Sequence, residues 1–264
     1  RNGTFFIDKS GLIELVNAKI ATKEKWICVS RPRRFGKTMA LEMLSAYYTK
    51  GIRADGLFGG LKIKNSYSYY QHLNCHNVIY LNFSEYFENT SLTSGGIPEI
   101  TRRIICDLNQ EYPGLLGDVQ ELPLAFDMVQ QACGAKFIFL IDEWDSIFRF
   151  RKGKKQEQEE FLNFLKLLFK DKTYVELVYM TGILPIKKYN TGSALNMFRE
   201  YTMLDPKRLS PYFGFTKEEL AFAVSRSDLT IEDLEEWYDG YCVEGEGHIF
   251  NPKSVSDALN EGQC

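Results

Sequence analysis

Apolar residues recur along the chain in two alternating patterns. Near-continuous apolar runs occupy residues 26–30, 78–83, 136–141 and 175–181, as is typical of strands buried on both faces of a parallel sheet. Between them, apolar positions three and four residues apart predict helices over residues 11–19, 39–48, 97–112, 122–133 and 157–169. This alternation predicts an α/β fold, a doubly wound sheet with right-handed crossovers. A short candidate strand at residues 201–204 is expected to complete the sheet.

The pattern changes after Pro206, where signals for the start of a helix become frequent. Two pairs with capping-box spacing and one N-cap residue followed by proline occur there, at Thr216/Glu219, Thr230/Asp233 and Asn251-Pro252. We therefore divide the chain into an α/β core over residues 1–205 and a small, mostly helical subdomain over residues 206–264.

Composition and charge restrict the class of protein. The chain has 32 Lys+Arg against 35 Asp+Glu and a net charge of -3, so no global field draws it to nucleic acid or an anionic membrane. No apolar run approaches the roughly 20 residues that cross a bilayer, and no signal peptide opens the chain. The six cysteines form no CxxC pair and several lie in apolar runs typical of buried thiols, which favours a reducing, cytoplasmic compartment without a metal or disulfide framework. Because the first residue is Arg1 rather than Met, we expect a piece of a longer protein.

The first candidate site follows the strand over residues 26–30, where a turn leads directly into a helix. The turn has the sequence Arg31-Pro32-Arg33-Arg34-Phe35-Gly36-Lys37-Thr38. It matches the phosphate-binding P-loop pattern G-x-x-x-x-G-K-[ST], except that Arg31 takes the place of the first glycine. Backbone N–H groups of such a loop can surround a phosphate, Lys37 can reach the β and γ phosphates of ATP, and the Thr38 hydroxyl can bind Mg²⁺. A solvated basic turn is the alternative, and the strand-to-helix setting argues against it.

We therefore expect ATP and Mg²⁺ as ligands. The residues expected to contact the nucleotide are Arg33, Arg34, Phe35, Gly36, Lys37, Thr38 and Met39.

Independent support comes from the strand over residues 136–141, which runs into Asp142 and Glu143. A P-loop NTPase holds Mg²⁺ with an aspartate at this place, so Asp142 is expected to bind the ion through a water molecule. Thr38 is expected to bind the same ion directly. Glu143 is then placed to orient and deprotonate the attacking water, which makes Glu143 and Lys37 the expected catalytic residues. Solvated acids at a strand end are the alternative. Asp145 is either a secondary ligand or a helix N-cap.

Two further roles remain open at the level of sequence. Thr181 ends a strand where a polar side chain can sense the γ-phosphate, and a threonine that caps Gly182 is an equally good interpretation. An arginine that stabilises transition-state charge is also expected. The candidates for it are Arg149, Arg151, Arg199 and Arg208. The basic run over residues 149–155 could contact DNA or the nucleotide of a neighbouring copy of the chain, or form a solvated loop.

Eight ordered segments together resemble the bacterial AAA-ATPase-like proteins. They lie at residues 6–10 (FIDKS), 31–38 (RPRRFGKT), 141–145 (IDEWD), 181–185 (TGILP), 193–196 (SALN), 214–216 (GFT), 237–241 (WYDGY) and 250–252 (FNP). The resemblance covers nearly the whole chain. It implies a P-loop NTPase of the ASCE type with sheet order 5-1-4-3-2, and it makes the segment that begins at Arg31 the family's own form of the phosphate loop.

The same resemblance implies two further features. Asp8 and Lys9 would lie beside the adenine, although a plain surface turn explains them equally well. Members of the family commonly carry a PD-(D/E)XK nuclease-like domain after the Asn-Pro helix, and this chain stops at Cys264. We find no PD…(D/E)xK arrangement, so we assign no nuclease activity to these residues.

The leading hypothesis is therefore an ATPase that couples MgATP binding and hydrolysis to movement of the helical subdomain, or to partner or nucleic-acid processing. An ATP-dependent interaction switch with negligible turnover, a P-loop kinase and a DNA-binding protein are the alternatives. Glu143 favours turnover. The physiological partner, the oligomeric state and the base preference stay open.

Overall fold

The computed structural model describes residues 6–88, 96–189, 194–225, 229–237, 240–243 and 247–261. The helices in these ranges are α1 (Gly11–Asn17), α2 (Lys37–Tyr48), α3 (Asp55–Phe58), α4 (Tyr69–His72), α5 (Ser84–Phe87), α6 (Gly96–Glu111), α7 (Leu122–Cys133), α8 (Ser146–Phe150), α9 (Lys155–Phe169), α10 (Lys217–Val224), α11 (Ile231–Trp237) and α12 (Pro252–Glu261). The strands are β1 (Trp26–Ser30), β2 (Asn77–Asn82), β3 (Phe137–Asp142), β4 (Val175–Gly182), β5 (Arg199–Tyr201), β6 (Tyr241–Val243) and β7 (Gly247–Ile249). Short 3₁₀ turns span Lys62–Asn65, Ile186–Lys188 and Lys207–Tyr212.

A parallel five-stranded sheet lies at the centre, in the order β5-β1-β4-β3-β2. This is the order 5-1-4-3-2 that the resemblance implied, so the predicted α/β P-loop NTPase-like fold is confirmed. At the carboxyl edge, Ser30 of β1 pairs with Gly182 of β4, and Ile141 of β3 pairs with Met180 of β4. The ends of β1 and β3, which carry the basic turn and the acid pair, therefore flank the end of β4.

The continuous apolar run of β3 reflects burial on both of its faces. Phe137, Phe139 and Ile141 pack with side chains of α6, α7 and α9, whereas Ile138 and Leu140 pack with those of α1 and α2. Helices thus cover both sides of the sheet, as the doubly wound prediction requires. Each face forms its own buried cluster, and the strand ends at the carboxyl edge are held between them.

The elements after the sheet include α10, α11, α12 and an antiparallel hairpin of β6 and β7, which we call the C-terminal unit. Its small core is formed by Leu220, Leu234, Phe250, Val255 and Ala258. The sequence predicts a mostly helical subdomain, and the structure adds the hairpin to it. The boundary after residue 205 stays a prediction. The 3₁₀ turn Lys207–Tyr212 follows this boundary, but its Leu209 side chain packs into the core of the sheet.

The predicted helix starts of the C-terminal unit are confirmed. Thr216 and Glu219 exchange both hydrogen bonds of a capping box at the start of α10. Thr230 and Asp233 exchange the corresponding pair before α11. Asn251 accepts the N–H of the second residue of α12, which begins with proline.

Some boundaries and burial expectations were wrong. The last strand of the sheet spans Arg199–Tyr201 rather than residues 201–204, because the chain turns after it and the N–H of Thr202 bonds to the carbonyl of Asp205. Of the four cysteines described as free thiols, only Cys28 is buried. The others are exposed because they lie in a loop and on the outer faces of α6 and α7, at Cys75, Cys106 and Cys133. No helix of the described residues has the length and apolarity needed to cross a membrane.

Candidate functional site

The turn between β1 and α2 has the backbone of an anion-binding loop. Arg34 and Gly36 both have positive φ, of 69° and 80°, and residues in this left-handed region turn neighbouring N–H groups toward one concave side. Gly36 adopts it freely, whereas it is uncommon for a residue with a Cβ such as Arg34. Gly36 is also the N-cap of α2, offers no side chain to cap it, and no acidic residue lies in the first turn. The positive end of α2 is therefore left to attract an anion.

Arg31 does not lie at this concave side, although it occupies the place of the first motif glycine. Its side chain is 1% exposed, and its Nη1 donates to the carbonyls of Ser30 and Tyr201 at 2.9 and 2.8 Å. Its guanidinium carbon lies 5.3 Å from the ring centroid of Phe213. Burial lowers the pKa of Arg31 to about 10. Arg31 thus ties the start of the loop to β5, which fixes the path that a glycine would leave free.

The side chain of Lys37 reaches back over the loop to its first residues. Its Nζ donates to the carbonyls of Arg31 and Pro32 at 3.0 and 2.8 Å, and the residue is 6% exposed. Burial lowers the pKa of Lys37, while the nearby carboxylates of the acid strand act in the opposite direction. An ammonium held by neutral carbonyls is available for a stronger acceptor, because charged partners bind it better than carbonyl oxygens do.

Asp142 links the two sequence motifs. Its Oδ2 accepts the hydroxyl of Thr38 at 2.6 Å, and its Oδ1 accepts the hydroxyl of Thr181 and, at 2.9 Å, the N–H of Glu143. Asp142 is 1% exposed. The Thr38 oxygen keeps its lone pairs while it donates its proton, and hard oxygen donors of this kind suit Mg²⁺. Thr38 and Asp142 could therefore hold that ion directly and through water, as their sequence predicts.

Glu143 follows Asp142 with a φ of 52°, again in the left-handed region. Backbone of this type is uncommon outside glycine and is often found where a site requires it. The carboxylate is partly exposed and forms an ion pair with Arg149 of α8, whose Nη2 donates to Glu143 Oε2. The backbone turn therefore directs Glu143 away from the sheet and beside a cation.

Asp145 does not cap α8 with its side chain, and its role as a secondary ligand stays a prediction. It stands at the N-cap position of α8 but makes no capping hydrogen bond. Its fully buried carboxylate accepts the N–H groups of Ile183 and Leu184 at 3.3 and 3.1 Å, and Arg149 Nε lies 3.4 Å away. Burial raises the pKa of Asp145, and Arg149 opposes that rise. Asp145 thus clamps the segment after β4 against α8.

These elements enclose a cleft of about 610 Å³. Its walls are formed by Arg33, Arg34, Gly36, Lys37, Thr38, Met39, Ser84, Glu88, Glu143, Arg149, Phe150, Pro252, Lys253 and Ser256. Five of these side chains are cationic and two are anionic, an excess of three positive charges that suits a polyphosphate.

The matching family model is described as "Predicted AAA-ATPase" and covers residues 1–191, which include the loop, the acid pair and Thr181. The chain belongs to the AAA-ATPase-like family. An uncharacterized protein in the vnfD 5′ region of Azotobacter chroococcum mcd 1 is 23% identical over 259 residues. The match covers 94% of this chain and 47% of that protein, so the chain spans about half the length of this relative. Membership in an AAA-ATPase-like family supports a nucleotide as the ligand of the cleft.

The structure of this AAA-ATPase-like chain separates the predicted nucleotide residues into two groups. Six of the seven line the cleft, and Phe35 does not. The Phe35 side chain is 1% exposed and packs with Ile249 and edge-to-face on Tyr241, with ring centroids 5.4 Å apart. Only its backbone can therefore face a phosphate. Thr181 is fully buried behind Asp142 and does not line the cleft, so its role as a sensor stays a prediction.

Of the four arginine candidates, only Arg149 lines the cleft. Arg151 lies near Glu157 at 3.9 Å, Arg199 pairs with Glu24 at 3.4 Å, and Arg208 is exposed. Each of these three therefore lies outside the cleft of its own chain.

Asp8 and Lys9 do not line the cleft either, and their place beside the adenine stays a prediction. The Asp8 carboxylate accepts the N–H groups of Ser10 and Lys62, and Lys9 Nζ bonds to Glu219 of the capping box at 2.5 Å. They tie the start of the chain to neighbouring elements instead.

Sequence reasoning missed the cleft residues that come from α5 and α12. Ser84 and Glu88 lie at and just after α5, and Lys253 and Ser256 lie in the first turns of α12. No motif marks them, and only the Asn-Pro helix start pointed to α12. Ser193, Tyr238 and Asp239 of the family-like segments lie outside the described residues, as does the side chain of Trp237.

Proposed function

We propose that this chain binds MgATP in the cleft, hydrolyses it, and transmits the change to the C-terminal unit. The observation that carries the proposal is the 2.6 Å hydrogen bond from Thr38 Oγ1 to Asp142 Oδ2. It joins the phosphate loop to the acid strand at the place where a P-loop NTPase binds its metal ion. Family membership supports the nucleotide, and the chemistry of the side chains supports hydrolysis.

The phosphate loop and the acid strand have distinct roles in this proposal. Lys37 leaves the carbonyls of its own loop and binds the β and γ phosphates, while the N–H groups of the loop and α2 surround the β phosphate. Thr38 and Asp142 would hold Mg²⁺, which when bound would neutralise charge that develops on the phosphate oxygens. Positioning and electrostatic stabilisation supply most of the catalysis in reactions of this kind.

Glu143 is the general base of the proposed reaction. Its carboxylate lines the cleft, and its backbone is fixed by the positive φ and by the hydrogen bond from its N–H to Asp142. From there it can orient a water molecule for attack on the γ-phosphorus and accept the proton that the water loses. A positioned base contributes about 10²- to 10⁴-fold to such a rate.

Comparison of wild type with Glu143→Gln tests hydrolysis. We expect kcat for phosphate release from MgATP to fall by about 10²-fold or more without any loss of affinity for MgATP, because the amide keeps the shape of the carboxylate but is not a base. Glu159→Gln is the matched control, since Glu159 is exposed on α9 and does not line the cleft. Equal rates in wild type and Glu143→Gln would remove Glu143 from the mechanism.

Phe35 supports the proposed coupling to the C-terminal unit. It belongs to the phosphate loop, yet its ring lies against Tyr241 and Ile249 of the hairpin. The ring also packs closely against Gly214, where a Cβ atom would lie only 3.2 Å from Phe35 Cε1. Because packed rings transmit displacement rather than absorb it, movement of the loop on nucleotide binding should move the hairpin.

Hydrogen exchange measures this coupling. We expect MgATP to change the protection of β6, β7 and α12 in wild type, and Phe35→Ala to remove that change while the loop itself still responds. Leu204→Ala is the control, because Leu204 is 97% exposed. An unaltered response of the hairpin in Phe35→Ala would rule out Phe35 as the connection.

An ATP-dependent interaction switch with little turnover is the second candidate, and the ion pair between Glu143 and Arg149 favours it. A carboxylate held by a guanidinium has one oxygen fewer for a water molecule. Rapid binding of MgATP with a hydrolysis rate unaffected by Glu143→Gln would identify the switch.

A further inference from the structure

Arg149 lies between two carboxylates at the wall of the cleft. Its Nη2 donates to Glu143 Oε2, and its Nε lies 3.4 Å from Asp145 Oδ2. The side chain is 15% exposed, and its guanidinium carbon lies 5.1 Å from the ring centroid of Phe150, another residue of the wall. The guanidinium therefore has one end beside the buried Asp145 carboxylate, in an ion pair without a hydrogen bond, and the other end hydrogen-bonded to the proposed base.

The contact with Glu143 conflicts with the role of Glu143 in hydrolysis. A base must present a carboxylate oxygen to the attacking water, and Arg149 occupies one of the two oxygens. The contact with Asp145 carries no such conflict, because Asp145 is fully buried and bonds to the backbone of Ile183 and Leu184. Only the Nη end of Arg149 has to move to free Glu143.

The cleft offers that end a better partner once a nucleotide is bound. A γ-phosphate carries more negative charge than one carboxylate and matches the planar fork of a guanidinium. The other charged groups that face the cleft are Arg33, Arg34, Lys37, Glu88, Glu143 and Lys253. Among the four arginine candidates only Arg149 reaches the cleft from the side of the proposed base.

We propose that Arg149 exchanges partners during the reaction, holding Glu143 in the nucleotide-free protein and binding the γ-phosphate once MgATP is present. The inference rests on the proposed function. In the step that follows, the oxygen of water forms a bond to the γ-phosphorus, and the bond from that phosphorus to the β,γ-bridging oxygen breaks. The electron pair of that bond leaves with ADP, and the water proton passes to the released Glu143. Arg149 stabilises the charge on the transferred phosphoryl group.

Nucleotide binding tests the exchange apart from catalysis. The probes are MgADP and the β,γ-imido analogue of MgATP, titrated into wild type, Arg149→Gln, Glu143→Gln and the double variant. We expect Arg149→Gln to lower the affinity for the analogue about tenfold or more and to leave the affinity for MgADP nearly unchanged, because only the analogue has a γ-phosphate. Arg149→Lys should lie between Arg149→Gln and wild type, because it keeps the charge without the fork.

The double-mutant cycle of Arg149→Gln and Glu143→Gln tests the exchange more directly than either single variant does. In Glu143→Gln, Arg149 no longer has to leave a carboxylate, so the analogue should bind more tightly than it binds to wild type. This gain in affinity should vanish when Arg149 is replaced as well, so the effects of the two substitutions on the binding free energy should not be additive. Additive effects, or equal changes for MgADP and the analogue, would overturn the exchange.

A turnover measurement separates a failed inference from a failed function. Arg149→Gln should lower kcat for MgATP by about 10²-fold or more. Arg151→Gln should match wild type, since Arg151 lies two residues away and outside the cleft. Wild type that binds neither probe would contradict the proposed function itself, whereas active wild type with an unchanged Arg149→Gln variant would contradict the exchange alone.

Discussion

Substitution of Gly182 by alanine should strain the junction between β4 and the acid strand. A Cβ at Gly182 would lie 2.6 Å from Cδ1 and Nε1 of Trp144 and 2.7 Å from Oδ1 of Asp145. Trp144 and Asp145 are both fully buried. Neither neighbour can move without disturbing the core or the clamp on the segment after β4.

The size of the effect follows from these contacts. Overpacking by one carbon costs about 1–3 kcal/mol, and displacing the Asp145 carboxylate weakens two hydrogen bonds worth about 1 kcal/mol each. The lower entropy of the unfolded alanine chain offsets less than about 1 kcal/mol. We therefore expect Gly182→Ala to lower the free energy of unfolding by about 2–4 kcal/mol.

Urea denaturation followed by tryptophan fluorescence measures this loss, since the ring of Trp144 is itself part of the contact. Gly56→Ala is the control, because nothing lies within 4 Å of the Cβ position at Gly56, and it should be neutral or slightly stabilising. If Gly182→Ala unfolds at the same urea concentration as Gly56→Ala, the close packing of this junction is refuted.

Three further outcomes follow from the site. Burial lowers the pKa of Lys37 in the free protein, and phosphates favour its charged form. Between the pKa of the free protein and that of the complex, MgATP binding should therefore take up a proton, and affinity should fall as pH rises. Calorimetry in buffers of different ionisation enthalpy measures the uptake. Thr181→Val removes the hydroxyl that bonds to buried Asp142 and should cost about 1–3 kcal/mol of stability, measured by urea denaturation. Thr216→Ala removes the cap of α10 and should cost about 1 kcal/mol, measured by thermal denaturation.

Each of these outcomes has a contrary result. Binding enthalpies that do not depend on the buffer would contradict the titration of Lys37. A Thr181→Val variant as stable as wild type would show that Asp142 does not need the hydroxyl. No change in the thermal midpoint of Thr216→Ala would mean that the capping box does not contribute to folding.

Sequence patterns predicted those features that depend on local chemistry. Thr38 bonds to Asp142, and Lys37 lines the same cleft as Thr38, because a loop that starts a helix and an acid that ends a buried strand both lie at the carboxyl edge of a parallel sheet. The order of the strands came from the resemblance to a family, since periodicity alone does not specify neighbours. Helix α7 spans the residues that its apolar spacing predicts, and it ends at a glycine C-cap, Gly134, with positive φ.

The features that were missed depend on contacts between distant segments. Phe35 looks like a nucleotide contact in the sequence, and it is buried because a hairpin more than two hundred residues later packs on it. The hairpin strands are three residues long, too short for an alternating pattern to identify them. The choice of Arg149 among four arginines depends on where α8 lies relative to the cleft, which composition does not show.

The central claim is that the loop at Lys37 binds the phosphates of a nucleotide, and titration of MgATP against Lys37→Ala tests it most directly. We expect the variant to bind MgATP about 10- to 100-fold more weakly than wild type does, since it loses a charge-assisted bond. Lys23→Ala, at an exposed lysine outside the cleft, should bind as wild type does. Equal affinity of Lys37→Ala and wild type for MgATP would contradict the claim.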